Sequence, residues 1–117
     1  MEGKPVHVEL PAKDSARSKE FYGSLFGWKF ESFAEADYHM TQFSDQLGGA
    51  VFGTESGETS PRVYFSVADI DGARARVSEL GGSAEEKSPV PGMGWYAACK
   101  DTEGTSFHLW QSDQAAA

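Results

Sequence analysis

Val6, Val8 and Leu10 alternate with His7 and Glu9, the two-residue period of a strand with one apolar face, and Pro11 is expected to end it. Asp14 then stands where a helix N-cap belongs. Phe21, Tyr22, Leu25 and Phe26 follow at three- and four-residue spacing, and Gly27 occupies the left-handed stop position. That spacing predicts a helix whose aromatics are core. Three short strand-like pieces come next, around 28–33, 38–43 and 47–53, separated by turn-forming residues. Residues 54–61 are polar and unpatterned, and read as a linker.

The pattern then restarts. Residues 62–67 read as a strand and Asp69 as a second N-cap. Ile70, Ala73, Val77 and Leu80 lie at helical spacing until Gly81-Gly82, and strand-like segments return around 83–87, 95–100 and 105–111. Asp69 follows Asp14 by 55 positions, and the same shift carries Val8 to Val63, Leu10 to Phe65, Leu25 to Leu80 and Gly27 to Gly82. A shift of 58 carries Tyr38 to Tyr96, Asp45 to Glu103 and Val51 to Leu109. The difference falls in the first hairpin after each helix, where insertions are tolerated. The chain is therefore a strand-helix-strand-strand-strand unit used twice, over 5–53 and 62–111, with a tail at 112–117 that is expected to fray.

Composition narrows the function classes. The 117 residues fit one domain, 1–117, and 39% apolar with 24% charged residues marks a globular chain. No run approaches the ~18 apolar residues of a spanning helix, and the opening residues do not read as a signal peptide. One cysteine, Cys99, excludes an intrachain disulfide framework and a multi-cysteine zinc site. It suits a cytoplasmic protein, and is expected to be a buried strand thiol. The formal charge of −8 leaves no basic footprint for nucleic acid, and neither a nucleic-acid nor a membrane partner is expected. Thirteen glycines and 13% aromatic residues suit many turns around an aromatic-lined sheet.

With that repeat in view, the sequence resembles the vicinal oxygen chelate superfamily of glyoxalase I, bleomycin-resistance proteins and extradiol dioxygenases. The resemblance is carried by His7-Val8-Glu9-Leu10-Pro11, by Phe21-Tyr22-Gly23-Ser24-Leu25-Phe26-Gly27-Trp28, by Asp69 and Gly81-Gly82, by the turn Pro91-Gly92-Met93-Gly94-Trp95, and by Asp101-Thr102-Glu103-Gly104. It implies an α+β fold of two βαβββ modules whose sheets form a cup, completed as a homodimer. It also implies that the family's metal enzymes draw one ligand from the first and one from the last strand of each module. Those positions hold His7, Ala50, Arg62 and His108 here. Ala50 has no donor and Arg62 stays protonated, so no metal cofactor is expected. A divalent zinc, nickel, iron or manganese site would have to recruit His7, His108 and Glu9.

Strand alternation places His7, Glu9, Phe52, Arg62, Tyr64, His108 and Trp110 on the cup side, with Trp95 at its rim. An aromatic wall with a few convergent polar groups is the composition of a small-molecule site. The reading favoured is a metal-free protein binding an aromatic or cationic small molecule. Two alternatives stay open: a metal-dependent lyase, isomerase or extradiol-type dioxygenase, and a metal-free acid/base enzyme using His7 or His108 with Glu9 as orienter. Bland readings stand beside these: buried, hydrogen-bonded histidines, a Glu9–Arg62 ion pair, and ordinary sheet packing for the aromatics. Trp28 reads as helix-end packing, and His39 as a surface residue with no identifiable partner.

Overall fold

A computed structural model describes residues 3–117 and resolves two compact units, Val6–Arg62 and Val63–Ala117, the latter also taking in residues 3–5. The N-terminal unit is built from β1 (Lys4–Ala12), α1 (Ser15–Phe26), β2 (Glu31–Ser32), β3 (Tyr38–Gln42) and β4 (Gly48–Gly53). Its strands run in the order β2-β3-β4-β1, with β4 antiparallel to β3 and parallel to β1. The C-terminal unit comprises β5 (Arg62–Ser66), α2 (Ile70–Glu79), β6 (Ser83–Ala84), β7 (Ser88–Val90), β8 (Gly94–Lys100) and β9 (Ser106–Ser112). There the order is β5-β9-β8-β6, with β7 also pairing with β8. The class is α+β; the N-terminal unit follows the βαβββ order, and the C-terminal unit does so with the strand after its helix split into β6 and β7, both paired with β8. No helix of the described residues is long and apolar enough to cross a membrane.

The local signals act as the sequence predicts at both helix starts. The Asp14 carboxylate accepts from the Arg17 N–H at 3.1 Å, and that of Asp69 from the Gly72 N–H at 3.2 Å. Each such cap satisfies a donor that the helix cannot, worth about 1 kcal/mol. Gly27 ends α1 at φ 75°, its N–H donating to the Gly23 carbonyl at 2.9 Å. In the C-terminal unit Ile70, Ala73 and Val77 of α2 pack on Ala97 and Cys99 of β8 and on Phe107 and Leu109 of β9, with Val67 completing that core. Cys99 is buried, as expected, and burial pushes its thiol pKa up.

Several expectations are corrected. Pro11 does not end β1 but pairs with Phe52, because a missing donor at a strand's end breaks at most one rung. The segment expected as one strand around 83–87 separates into β6 and β7, either side of the charged Glu85-Glu86-Lys87. Leu80 lies beyond α2 and is exposed. The tail past Ser112 is held: Gly92 N–H donates to the Ala116 carbonyl at 2.9 Å, Asp113 N–H to that of Met93 at 2.8 Å, and Ala116 is buried.

The largest correction concerns α1. Phe21, Leu25 and Phe26 are 60, 57 and 58% exposed, and Tyr22 is only half-buried, so this stripe is not core. The half-buried helix positions are Ser15, Ser18, Lys19, Tyr22 and Gly23, also a helical face. Ser15 and Lys19 reach Asp37 and His39, so turning the aromatic stripe inward instead would strip both of those polar partners. Tyr22 and Phe26 meet Trp28 with ring centroids 5.2 and 4.9 Å away, and Trp28 meets Phe43 at 4.6 Å. That is the helix-end packing read for Trp28.

Candidate functional site

The register of the N-terminal unit fixes which side chains can meet. In β1 and β4, Glu9 pairs with Ala50 and Pro11 with Phe52; in β3 and β4, Tyr38 pairs with Phe52 and Met40 with Ala50. His7, Glu9, Phe52 and Tyr38 therefore share one sheet face, and Val8, Leu10, Val51 and His39 share the other.

On the first face a chain of polar groups forms. The Tyr38 hydroxyl donates to Glu9 Oε2 at 2.6 Å, and its oxygen lies 2.5 Å from His7 Nε2. A hydroxyl has one proton, so Tyr38 accepts from the His7 Nε2–H. Glu9 is buried at 8% exposure, and its Oε1 stands 3.7 Å from an Arg62 guanidinium nitrogen. Arg62 in turn donates from Nε at 3.0 Å and from a terminal nitrogen at 2.5 Å to the two oxygens of Glu58. The guanidinium carbon lies 4.5 Å from the centre of the Phe52 ring. Two carboxylates thus flank one permanent cation above an aromatic face.

Sequence reasoning named His7, Glu9, Phe52 and Arg62, and the structure brings these four together. It missed Tyr38 and Glu58. Tyr38 was findable, because β3 alternates and Tyr38 repeats as Tyr96. Glu58 sits in the polar 54–61 segment, which carries no period at all.

The Glu58 carboxyl is held below the usual carboxylate range, chiefly by its hydrogen bonds from Arg62. A carboxyl lowered on folding contributes stability above its ordinary value of 4.5, and that contribution is lost as pH falls through the folded value. Glu58→Gln is therefore expected to lower the melting temperature at neutral pH, with the deficit shrinking as the pH falls below 4.5 and through the lower folded value. Thermal melts across that range check it, and parallel curves would show that the pair contributes nothing.

In the C-terminal unit Tyr64 pairs with His108 across β5 and β9, and both are buried. Their ring centroids are 4.6 Å apart, with Tyr96 edge-on to Tyr64 at 6.5 Å. Trp110 pairs with Tyr96 and donates from its indole nitrogen to Ser112 Oγ at 3.1 Å. Trp95 does not join them. It shares the β8 face of Ala97 and Cys99, against the α2 core, and alternates with Tyr96. Its indole N–H donates to Asp113 at 3.1 Å, and the Lys87 ammonium lies 4.5 Å from its ring centre. The Asp113 carboxyl is lowered, first by the Ala115 N–H and then by Trp95.

Among the described residues, no three His, Cys, Asp or Glu side chains gather closely enough to hold a metal ion. In the N-terminal unit the two donors at hand, His7 and Glu9, are joined through Tyr38, and Glu9 faces a guanidinium. That set does not fit a divalent metal, which wants at least three donors.

A family model described as bleomycin resistance protein-like N-terminal matches residues 4–44. CFP32 of Mycobacterium tuberculosis, described as a glyoxylase, is 26% identical over 123 residues, covering 97% of this chain and 47% of its own. The anthracycline biosynthesis protein DauV of a Streptomyces species is 29% identical over 129 residues, with 93 and 47% covered. The chain thus spans about half the length of these curated relatives. Among solved structures, the methylmalonyl-CoA epimerase of Streptomyces coelicolor superposes with a TM-score of 0.66 at 19% identity, over 96% of this chain and 99% of that one. Sequence and fold similarity together indicate the vicinal oxygen chelate superfamily, in agreement with the motif resemblance.

Proposed function

We propose that this chain of the vicinal oxygen chelate superfamily is a glyoxalase/bleomycin-resistance-like protein that binds an aromatic or cationic small molecule without a tightly held metal. The observation that carries this is the Glu58–Arg62–Glu9 array over Phe52. A permanent guanidinium 3.7 Å from the carboxylate beside His7 stands where a metal ligand would have to approach. Two unit charges about 4 Å apart interact by about 4 kcal/mol at the dielectric of a protein surface, and a dication doubles the repulsion from Arg62. The array itself holds two carboxylates against one cation. Its carboxyl groups outnumber its cation beside an aromatic lining, a setting that favours an amine borne on a flat ring. The bleomycin-resistance-like family model and the anthracycline-biosynthesis relative support the same class of ligand.

A second reading, metal-free acid/base chemistry, draws on the His7–Tyr38–Glu9 chain. The buried carboxylate orients the hydroxyl, and the hydroxyl fixes the imidazole with its proton on Nε2.

The test pairs metal content with binding. Protein purified without chelator or immobilised nickel is expected to carry far less than one metal per chain, and to gain none on incubation with zinc, nickel, iron(II) or manganese. Titration with bleomycin and with an anthracycline, followed by tryptophan fluorescence, is expected to saturate. Tyr38→Phe is expected to weaken that binding about tenfold, the worth of one hydrogen bond to a charged group. Stoichiometric metal abolished by His7→Ala would overturn the reading.

A further inference from the structure

The opposite face of the N-terminal sheet carries a second assembly of reactive side chains, centred on His39. β2 and β3 pair so that Ser32 stands directly across from His39, whose side chain is 12% exposed. His39 Nε2 lies 2.8 Å from Asp37 Oδ1. Two groups converge on its other nitrogen: Ser32 Oγ at 3.2 Å and the Lys19 ammonium, from α1, at 3.4 Å. An ammonium cannot accept and a carboxylate cannot donate. Lys19 therefore donates to Nδ1 and the Nε2–H donates to Asp37. The Nδ1 lone pair is thereby turned to the Lys19 ammonium and the Ser32 hydroxyl, which share it.

Asp37 is fixed in turn. Its Oδ1 also accepts from Ser15 Oγ at 2.6 Å, and the bonds from Ser15 and His39 hold its carboxyl below the usual range. The Gly53 N–H donates to the Asp37 backbone carbonyl at 2.9 Å. Any side chain at position 53 would run into Asp37 Oδ2, so the fold forgoes one there and leaves room for the carboxylate.

We propose that Ser32, His39 and Asp37 form a hydrolytic centre, separate from the Glu9–Arg62 array, that cleaves small, unhindered acyl esters. Ser32 is the nucleophile, His39 the general base and Asp37 the group that orients it. Ser32 Oγ bonds to the ester carbonyl carbon as its proton passes to His39 Nδ1, while the Lys19 ammonium gives up its bond to that nitrogen and turns its N–H to the developing oxyanion. The carbon–alkoxide bond then breaks, and the leaving oxygen takes that proton. Water, deprotonated by the same nitrogen, releases the acyl group as the acid and restores Ser32. Ser32 and Asp37 are exposed, so the substrate is an open-surface one such as an aryl acetate.

Hydrolysis of p-nitrophenyl acetate by the full chain, with covalent capture by a fluorophosphonate probe, tests this. The expected result is turnover above buffer, a probe adduct on the peptide holding Ser32, and a loss of about a hundredfold or more in Ser32→Ala and in His39→Gln. Ser60→Ala, on an exposed serine elsewhere, is expected to change neither reading. Turnover that persists in Ser32→Ala, or capture that spares Ser32, would overturn the proposal and leave the cluster as a tie between the hairpin and α1. Ser32→Ala removes only an exposed hydroxyl, so it decides the matter even where His39→Gln fails to fold.

Discussion

Gly49→Ala is expected to lower the melting temperature by about 10 °C or more, since overpacking a tight site costs about 3 kcal/mol and each kcal/mol is worth about 4 °C at this chain length. Gly49 lies in β4 opposite Val8 of β1, and a Cβ there would run into the Val8 carbonyl oxygen and the edge of the Phe43 ring. A carbonyl in a strand cannot swing aside as a flexible side chain does. Either β1 and β4 part or Phe43 leaves Trp28. The same parallel ladder sets Glu9 beside Ala50 and Pro11 beside Phe52, so the ligand site should weaken together with the fold. Gly57→Ala is the control. Its Cβ meets nothing within 4 Å, and its φ of 81° predicts a cost of about 1 kcal/mol from left-handed strain alone. Equal melting temperatures for the two variants would refute the close approach of β4 to β1.

Arg62→Met is the second large effect. It removes the guanidinium that faces Glu9 and Glu58 and keeps much of the apolar stem over Phe52. Breaking a fully buried pair costs about 3–5 kcal/mol. Arg62 is about one-third exposed, so solvent screening brings the expectation nearer 2 kcal/mol. Glu9→Gln keeps an acceptor for the Tyr38 hydroxyl while removing the charge. If the array acts as one unit, the double variant should be more stable than the sum of the two single losses implies, by at least about 0.5 kcal/mol. Denaturant melts of the four proteins give that coupling. Strict additivity would show that the Glu9–Arg62 approach at 3.7 Å carries no energy.

Much of the scaffold was legible because its signals are local. Asp14, Asp69 and Gly27 act through groups three or four residues away, so their roles are written in the neighbouring sequence. Strand alternation likewise put His7 and Glu9 on one face, and the family's strand positions pointed to Arg62. The C-terminal core of Ile70, Ala73, Val77, Phe107 and Leu109 followed from period alone.

Where periodicity was ambiguous, distant partners decided. α1 has two helical faces, one aromatic and one holding Ser15, Lys19, Tyr22 and Gly23, and the larger apolar stripe was the natural choice for the core. Asp37 and His39, on another part of the chain, offer hydrogen bonds to the other face, and the helix turns to them. His39 looked solitary for the same reason: Lys19 reaches it from α1 and Ser32 from across the hairpin, while Asp37, two residues before it, is turned to it by Ser15 of α1. Glu58 entered the site from an unpatterned linker, and Trp95 was drawn to the α2 side by the parity of β8. The sequence by itself determined the caps, the strand faces and the residues able to do chemistry. Tertiary structure alone decided which of those residues meet, because hydrogen bonds and ion pairs between distant segments depend on register and helix rotation, which no local pattern encodes.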